Sequence, residues 1–190
     1  MADRTTYLLV DGENIDATLG MSVLGRRPEP EERPRWDRVL SFCDDVWDDD
    51  EETKPLFFLN ASSGHMPMGF VQALMAMDYR PIPLSGSTDE KVVDIGIQRT
   101  LDAISARDDA AHVLLASHDG DYVPQVERLL DAGCQVGILC FREFLNAQLA
   151  SLETRGLRIH DLETDVRAFT IALPRVRIIP LAEFDPALFI

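Results

Sequence analysis

Compact apolar runs alternate along this chain with stretches in which apolar residues recur every three or four positions. Tyr7–Asp11, Pro55–Asn60, Pro81–Leu84, His112–Ser117, Gln135–Cys140 and a weaker Arg158–Leu162 are short apolar runs bounded by turn residues, the pattern of strands covered on both faces. Between them Arg35–Trp47, Met68–Met77, Glu90–Arg107, Val123–Ala132 and Glu143–Thr154 predict helices. Trp36, Val39, Leu40, Cys43, Val46 and Trp47 fall on one helical stripe, as do Val93, Ile97, Leu101 and Ile104. Gly133 stands where a helix ending near Ala132 needs a left-handed cap. Alternation of this kind predicts an α/β fold, three-layer α/β/α with a mostly parallel central sheet.

Two segments break the rhythm. Met21–Arg35 is rich in proline and charge and reads as an inserted loop of the functional or mobile kind. After Thr164, the apolar stretches Phe169–Leu173 and Val176–Ile179 are split by Pro174 and closed by Pro180. The expected organisation is one domain over 1–163 and an extension over 164–190, either an edge strand or an arm packing on another subunit, with a homodimer as the partner this suggests.

Two of the apolar runs end in acids. Tyr7-Leu8-Leu9-Val10 leads into Asp11-Gly12-Glu13-Asn14, and His112–Ser117 leads into His118-Asp119-Gly120-Asp121. In a parallel sheet the carboxyl ends of the strands share one edge, and ligands bind there where the strand order reverses. If the two strands are neighbours, Asp11, Asp119 and Asp121 converge. Carboxylates crowded together raise one another's pKa, and a hard divalent cation such as Mg²⁺ or Mn²⁺ relieves that conflict with oxygen ligands. Asp94, set among Val92, Val93 and Ile95, is expensive there without a partner.

Bulk properties narrow the setting. The 190 residues suffice for one well-buried domain. No run approaches the roughly 20 apolar residues of a membrane helix, and Met1–Thr6 lacks a signal-peptide layout. Cys43, Cys134 and Cys140 are an odd set without metal-type spacing, so a reducing cytoplasm is the expected location. The net charge of −15, with 33 acidic against 18 basic residues, runs against broad phosphate binding. It favours a small or loosely held substrate, or one gripped through metal and a local basic patch. Part of the excess is the run Asp44-Asp45 and Asp48–Glu52, which reads as a solvated helix end and loop.

The segments D-G-E-N at Asp11–Asn14, K-V-V-D at Lys91–Asp94 and S-H-D-G-D-Y-V-P at Ser117–Pro124 together resemble the three signatures of NYN domains, a branch of the PIN-like nucleases. The resemblance runs over about residues 5 to 163 and is weakest at Met21–Arg35. Each signature alone is short; three in order and in context are specific. The resemblance implies a PIN-like, Rossmann-like fold and a metal-dependent nuclease acting on RNA with Mg²⁺ or Mn²⁺. Asp11, Asp94, Asp119 and Asp121 match the family's acidic positions and are the expected catalytic and metal-holding residues, Asp11 and Asp119 as principal ligands. Asn14, Lys91 and Ser117 also match, as candidates for holding the first loop or meeting a phosphate. His118 replaces the usual glycine and Tyr122 the usual phenylalanine. The tyrosine is a mild change; the histidine puts a side chain beside the metal site, where it crowds or assists.

Simpler readings exist for each residue taken singly. Asp11 and Asp121 suit helix caps, Asp94 a solvated helix face, His118 the rim of a turn, and His65 an ordinary loop. Arg142, after the fifth strand, could grip a phosphate through its planar fork. Arg26, Arg27, Arg33 and Arg35 beside Trp36 form the only basic concentration, but Glu29, Glu31 and Glu32 interleave them, as in a solvated loop. The rival function is a catalytically weak metal- or nucleotide-binding module on the same fold, favoured by the acidic charge and by His118. Other phosphoryl chemistry is weakened because the chain has no G-x-x-x-x-G-K-[ST] loop, no D-x-D after the first strand and no nucleophilic serine elbow.

Overall fold

The computed structural model describes residues 5–47, 53–87, 89–107, 109, 111–175 and 179–190. Six strands form one all-parallel sheet: β1 (Thr6–Asp11), β2 (Thr53–Asn60), β3 (Arg80–Leu84), β4 (His112–Ala116), β5 (Gln135–Cys140) and β6 (Arg158–Asp161). Their order is β3-β2-β1-β4-β5-β6. The chain first winds outward from β1 and then returns to its other side, so the order reverses between β1 and β4. That switch point is where an open α/β sheet leaves a crevice beyond its carboxyl ends.

Helices α1 (Gly12–Ala17), α2 (Trp36–Asp45) and α3 (Met68–Ala76) cover one face, and α4 (Val92–Ser105), α5 (Val123–Asp131) and α6 (Ala147–Ser151) the other. Along β1 the side chains alternate between two cores: Leu8 and Val10 pack with Trp36, Val39 and Phe57, while Leu9 packs with Val93, Ile97 and Leu115. Asp11 continues the parity of Leu9, which turns it toward α4 and α5. The near-continuous apolar character of β1, β4 and β5 is thus explained by burial from both sides. Among the described residues, no helix is long and apolar enough to cross a membrane.

Three expectations are corrected. The helix expected over Glu143–Thr154 is broken into α6 and flanking 3-10 turns at Arg142–Phe144 and Leu152–Arg155. Asn146 is extended and caps α6, its side chain accepting from the Gln148 N–H at 2.8 Å, so the helix starts there. The Met21–Arg35 segment is organised: α1 runs into a π-helical stretch at Thr18–Leu24, and Pro30–Glu32 forms a capped 3-10 turn. Glu32 accepts both arms of the Arg26 guanidinium at 2.7 and 2.6 Å.

The third correction touches one of the two forms expected of the tail: its described residues form no edge strand. Val166, Ala168 and Leu173 instead bury against the α1–α3 side of the sheet. Arg175 ties back to Glu143 and Glu163 over the Phe141 ring. Asp48–Glu52 lies outside the described residues. All three cysteines are free and buried, with Cys134 in the turn before β5.

Candidate active site

The cluster is assembled from two elements that end or begin at the β1–β4 crevice. Asp119 and Asp121 lie in the turn after β4, and Asp94 lies in the first turn of α4. One carboxylate oxygen from each of Asp94, Asp119 and Asp121 falls within 4.8 Å of the others. Octahedral ligands around Mg²⁺ at its usual bond length stand about 3–4.2 Å apart, so these oxygens need draw in only slightly. The donor set is purely carboxylate, which fits Mg²⁺ or Mn²⁺ and not a soft metal.

Local hydrogen bonds set the turn. The Asp119 carboxylate accepts from the Asp121 N–H at 2.9 Å, capping the 3-10 turn Gly120–Tyr122. Ser117 accepts from the Asp119 N–H at 3.2 Å and donates to Asp11 at 3.3 Å. The Asp121 carbonyl is held by Gln98 of α4 at 3.1 Å. A Cβ on Gly120 would lie 2.5 Å from the Asn146 side chain, so glycine lets the turn sit against the α6 cap. Lys91 spans the cluster, its ammonium 3.3 Å from Asp94 and 3.1 Å from Asp121. Hydrogen bonds to Asp121 and then Asp94 push the Lys91 pKa up.

Asp11 stands apart from that trio. It is 2% exposed and caps α1 by accepting the Asn14 N–H on Oδ1 at 3.2 Å. Its Oδ2 accepts from the Tyr122 hydroxyl at 2.9 Å and from Ser117 at 3.3 Å. A carboxylate offers about four lone-pair sites, and the protein fills most of them. Burial pushes the Asp11 pKa up to about 6, against the Tyr122, Asn14 and Ser117 hydrogen bonds and with the charge of Asp94. Tyr122 stays a phenol donor, because burial and then the Asp11 charge push its pKa up.

His118 is not at the rim. It is buried, stacked on Phe141, and bonded at both nitrogens. The Phe141 N–H donates to Nε2 at 2.8 Å, which leaves the proton on Nδ1 to bond Asn14 Oδ1 at 2.9 Å. Burial lowers the His118 pKa to about 4. The same Asn14 oxygen also accepts the His118 N–H at 2.8 Å. Asn14 and His118 therefore clamp the loop after β1 to the loop after β4 and to the end of β5, and this clamp occupies both imidazole nitrogens.

The other candidates lie elsewhere. The Arg142 guanidinium is taken up by the Ile159 carbonyl at 2.6 Å and Glu153 at 3.4 Å, tying β5 to β6. His65 is an exposed loop residue whose ring meets the Ser63 carbonyl at 3.1 Å. Among the arginines near Met21–Arg35, Arg26 is committed to Glu32, Arg33 to Asp16 and Arg35 to Asp37. Two site features escape the sequence pattern. Gln98, one helical turn after Asp94, could have been suspected from its position; the Tyr122 hydroxyl signals itself only as a departure from phenylalanine.

A three-layer α/β/α fold with a carboxylate cluster at its switch point is the PIN-like architecture. The NYN domain family's sequence profile matches residues 5–155, and the chain belongs to that family. NYN domains have a nuclease-like fold and are generally ribonucleases, so the family implies an RNA substrate. A comparison with curated proteins returns no match.

Proposed function

We propose that this chain is a Mg²⁺- or Mn²⁺-dependent endoribonuclease that hydrolyses RNA phosphodiester bonds at the Asp94–Asp119–Asp121 cluster. The observation that carries this reading is the meeting of three carboxylates, from α4 and from the turn after β4, within 4.8 Å at the sheet's switch point. Such a group repels itself unless a cation joins it. A divalent metal held there supplies an activated water and a counter-charge for the pentacoordinate phosphorus.

The protein's own residues divide the remaining work. Asp94, Asp119 and Asp121 hold the ion. Asp11 braces the cluster from below, and its remaining lone-pair capacity makes it the fourth carboxylate of the set. Lys91, 67% exposed, is placed to exchange its carboxylate partners for a substrate phosphate. Ser117 and Asn14 fix the two loops and so the distances between the acids. Arg142, engaged between β5 and β6, serves the architecture in this reading.

The test is cleavage of end-labelled single-stranded and structured RNA with Mn²⁺ or with EDTA, beside an Asp94→Asn/Asp119→Asn variant. Cleavage should require the metal and vanish in the variant; equal cleavage by both proteins overturns the enzyme reading. One observation favours a second reading, a metal- or nucleotide-binding module: the −15 charge opposes a long RNA footprint. Calorimetric Mn²⁺ binding by a protein that cuts none of the RNAs would select it.

A further inference from the structure

On the opposite face of the same sheet edge lies a cavity of about 350 Å³, lined by Gly12, Ile15, Trp36, Phe57, Asn60 and Phe70 among others. Its floor is aromatic. Trp36 and Phe57 meet edge to face at 5.1 Å, and Phe57 meets Phe70 at 5.4 Å. Pro34 and Pro67 complete the apolar walls. A Cβ on Gly12 would fall 2.6 Å from the Phe57 ring, so glycine lets the ring come up against the start of α1. The rim is polar. Asn60 Oδ1 accepts the Ser62 N–H at 3.0 Å, while its amide N–H groups have no protein partner among the described residues. Arg33 pairs with Asp16 at 3.4 Å.

The cavity opens at the carboxyl edge of the sheet that also carries the acidic site. Gly12 follows Asp11 directly, and Asn60 stands two residues beyond Phe58, which pairs with Asp11. A strand of substrate crossing the tops of β1 and β2 passes from one to the other. The volume suits a small flat ligand, and neither a helix nor a bulky peptide. Aromatic walls with an amide at one edge suit a planar heterocycle that stacks and also hydrogen-bonds. Another hollow, about 630 Å³ around Tyr7, Lys54 and Arg80, opens at the amino ends of the strands, away from the cluster.

We infer that this cavity is a nucleobase subsite, which seats an unpaired base of the substrate next to the bond at the acidic cluster, with Phe70 stacking, Asn60 reading the base edge and Arg33 meeting an adjoining phosphate. The assignment of the ligand as part of an RNA strand rests on the nuclease reading above. It makes the protein selective for single-stranded segments, because a base in a duplex cannot enter.

The test is amide and indole NMR of the whole chain titrated with AMP, GMP, CMP, UMP and ribose 5-phosphate, all in EDTA so that no cleavage enters. At least one nucleotide should shift the Gly12 amide, the Asn60 side-chain amide and the Trp36 indole, and ribose 5-phosphate should not. Phe70→Leu should weaken binding roughly tenfold, and the exposed Asn60→Ala should change the ranking of bases. No shifts at these residues, equal shifts from ribose 5-phosphate, or affinities unchanged in both variants would overturn the subsite. The two readings fail separately: Mn²⁺-dependent cleavage without these shifts removes only the subsite, and base binding without cleavage removes only the nuclease.

Discussion

The Tyr122 hydroxyl donates to Asp11 Oδ2 at 2.9 Å, and both groups are buried. A carboxylate facing other acids at the base of the crevice gains a neutral donor there, one that the family's usual phenylalanine cannot supply. Tyr122→Phe deletes that bond and leaves the ring. Hydrogen bonds to charged groups contribute about 1.5–3 kcal/mol, so urea unfolding should show a loss of that size with an unchanged m-value. A difference near zero would mean that the hydroxyl has found no work at Asp11.

His118 makes a second departure from the family pattern, and its effect is on the scaffold. Replacing it with the usual glycine, His118→Gly, removes the bonds to Asn14 and Phe141 and opens a void against the Phe141 ring. The expected cost is roughly 2–4 kcal/mol. Hydrogen exchange gives the sharper readout: the Phe141 amide, which donates to the imidazole in the wild type, should exchange faster in the variant. An unchanged Phe141 rate would contradict the clamp.

These two residues show where the sequence is informative and where it falls silent. The six strands were legible, because apolar runs bounded by turn residues mark them and each acidic cluster marks a carboxyl end; the β1–β4 adjacency stood only as a condition, which the strand order supplies. Asp94 was legible as a carboxylate among apolar neighbours. The direction of a side chain at a turn was not. His118 at the end of a strand reads equally as rim or interior, and only the Phe141 N–H, donated from the next strand, decides it. Arg142 looked like a phosphate ligand because it follows a strand; its partners, Ile159 and Glu153, come from a later part of the chain. The broken sixth helix turns on the extended backbone of Asn146, which a window of helix-forming residues hides.

Glu32 gives a dependence on pH. Its bond with Arg26, then the Glu29 N–H, lower its pKa from 4.5 to about 2. A carboxylate with a depressed folded pKa stabilises the protein fully above its unfolded value, and this contribution fades as pH falls from about 4.5 to about 2. Glu32→Gln should therefore melt below the wild type at neutral pH, and the gap should close across that window. The substitution also loosens the turn that precedes Arg33. A gap constant from pH 7 down to pH 2 would show that the ionised pair is not its source.

Lys91 bridges Asp94 and Asp121 and so competes with any cation for the same oxygens. Lys91→Met removes the competitor and one positive charge from beside the cluster. Mn²⁺ should then bind a few-fold more tightly by calorimetry, since the interaction lost is that of exposed ion pairs. Cleavage measured at saturating Mn²⁺ should fall, because the ammonium placed to meet the phosphate is gone. The opposite signs separate this role from simple structural support, which would weaken metal binding and cleavage together. Raising the salt concentration should shrink the affinity difference, as screening weakens the exposed lysine more than the inner carboxylates. Loss of both metal affinity and activity in Lys91→Met would instead place the lysine among the groups that hold the cluster in shape.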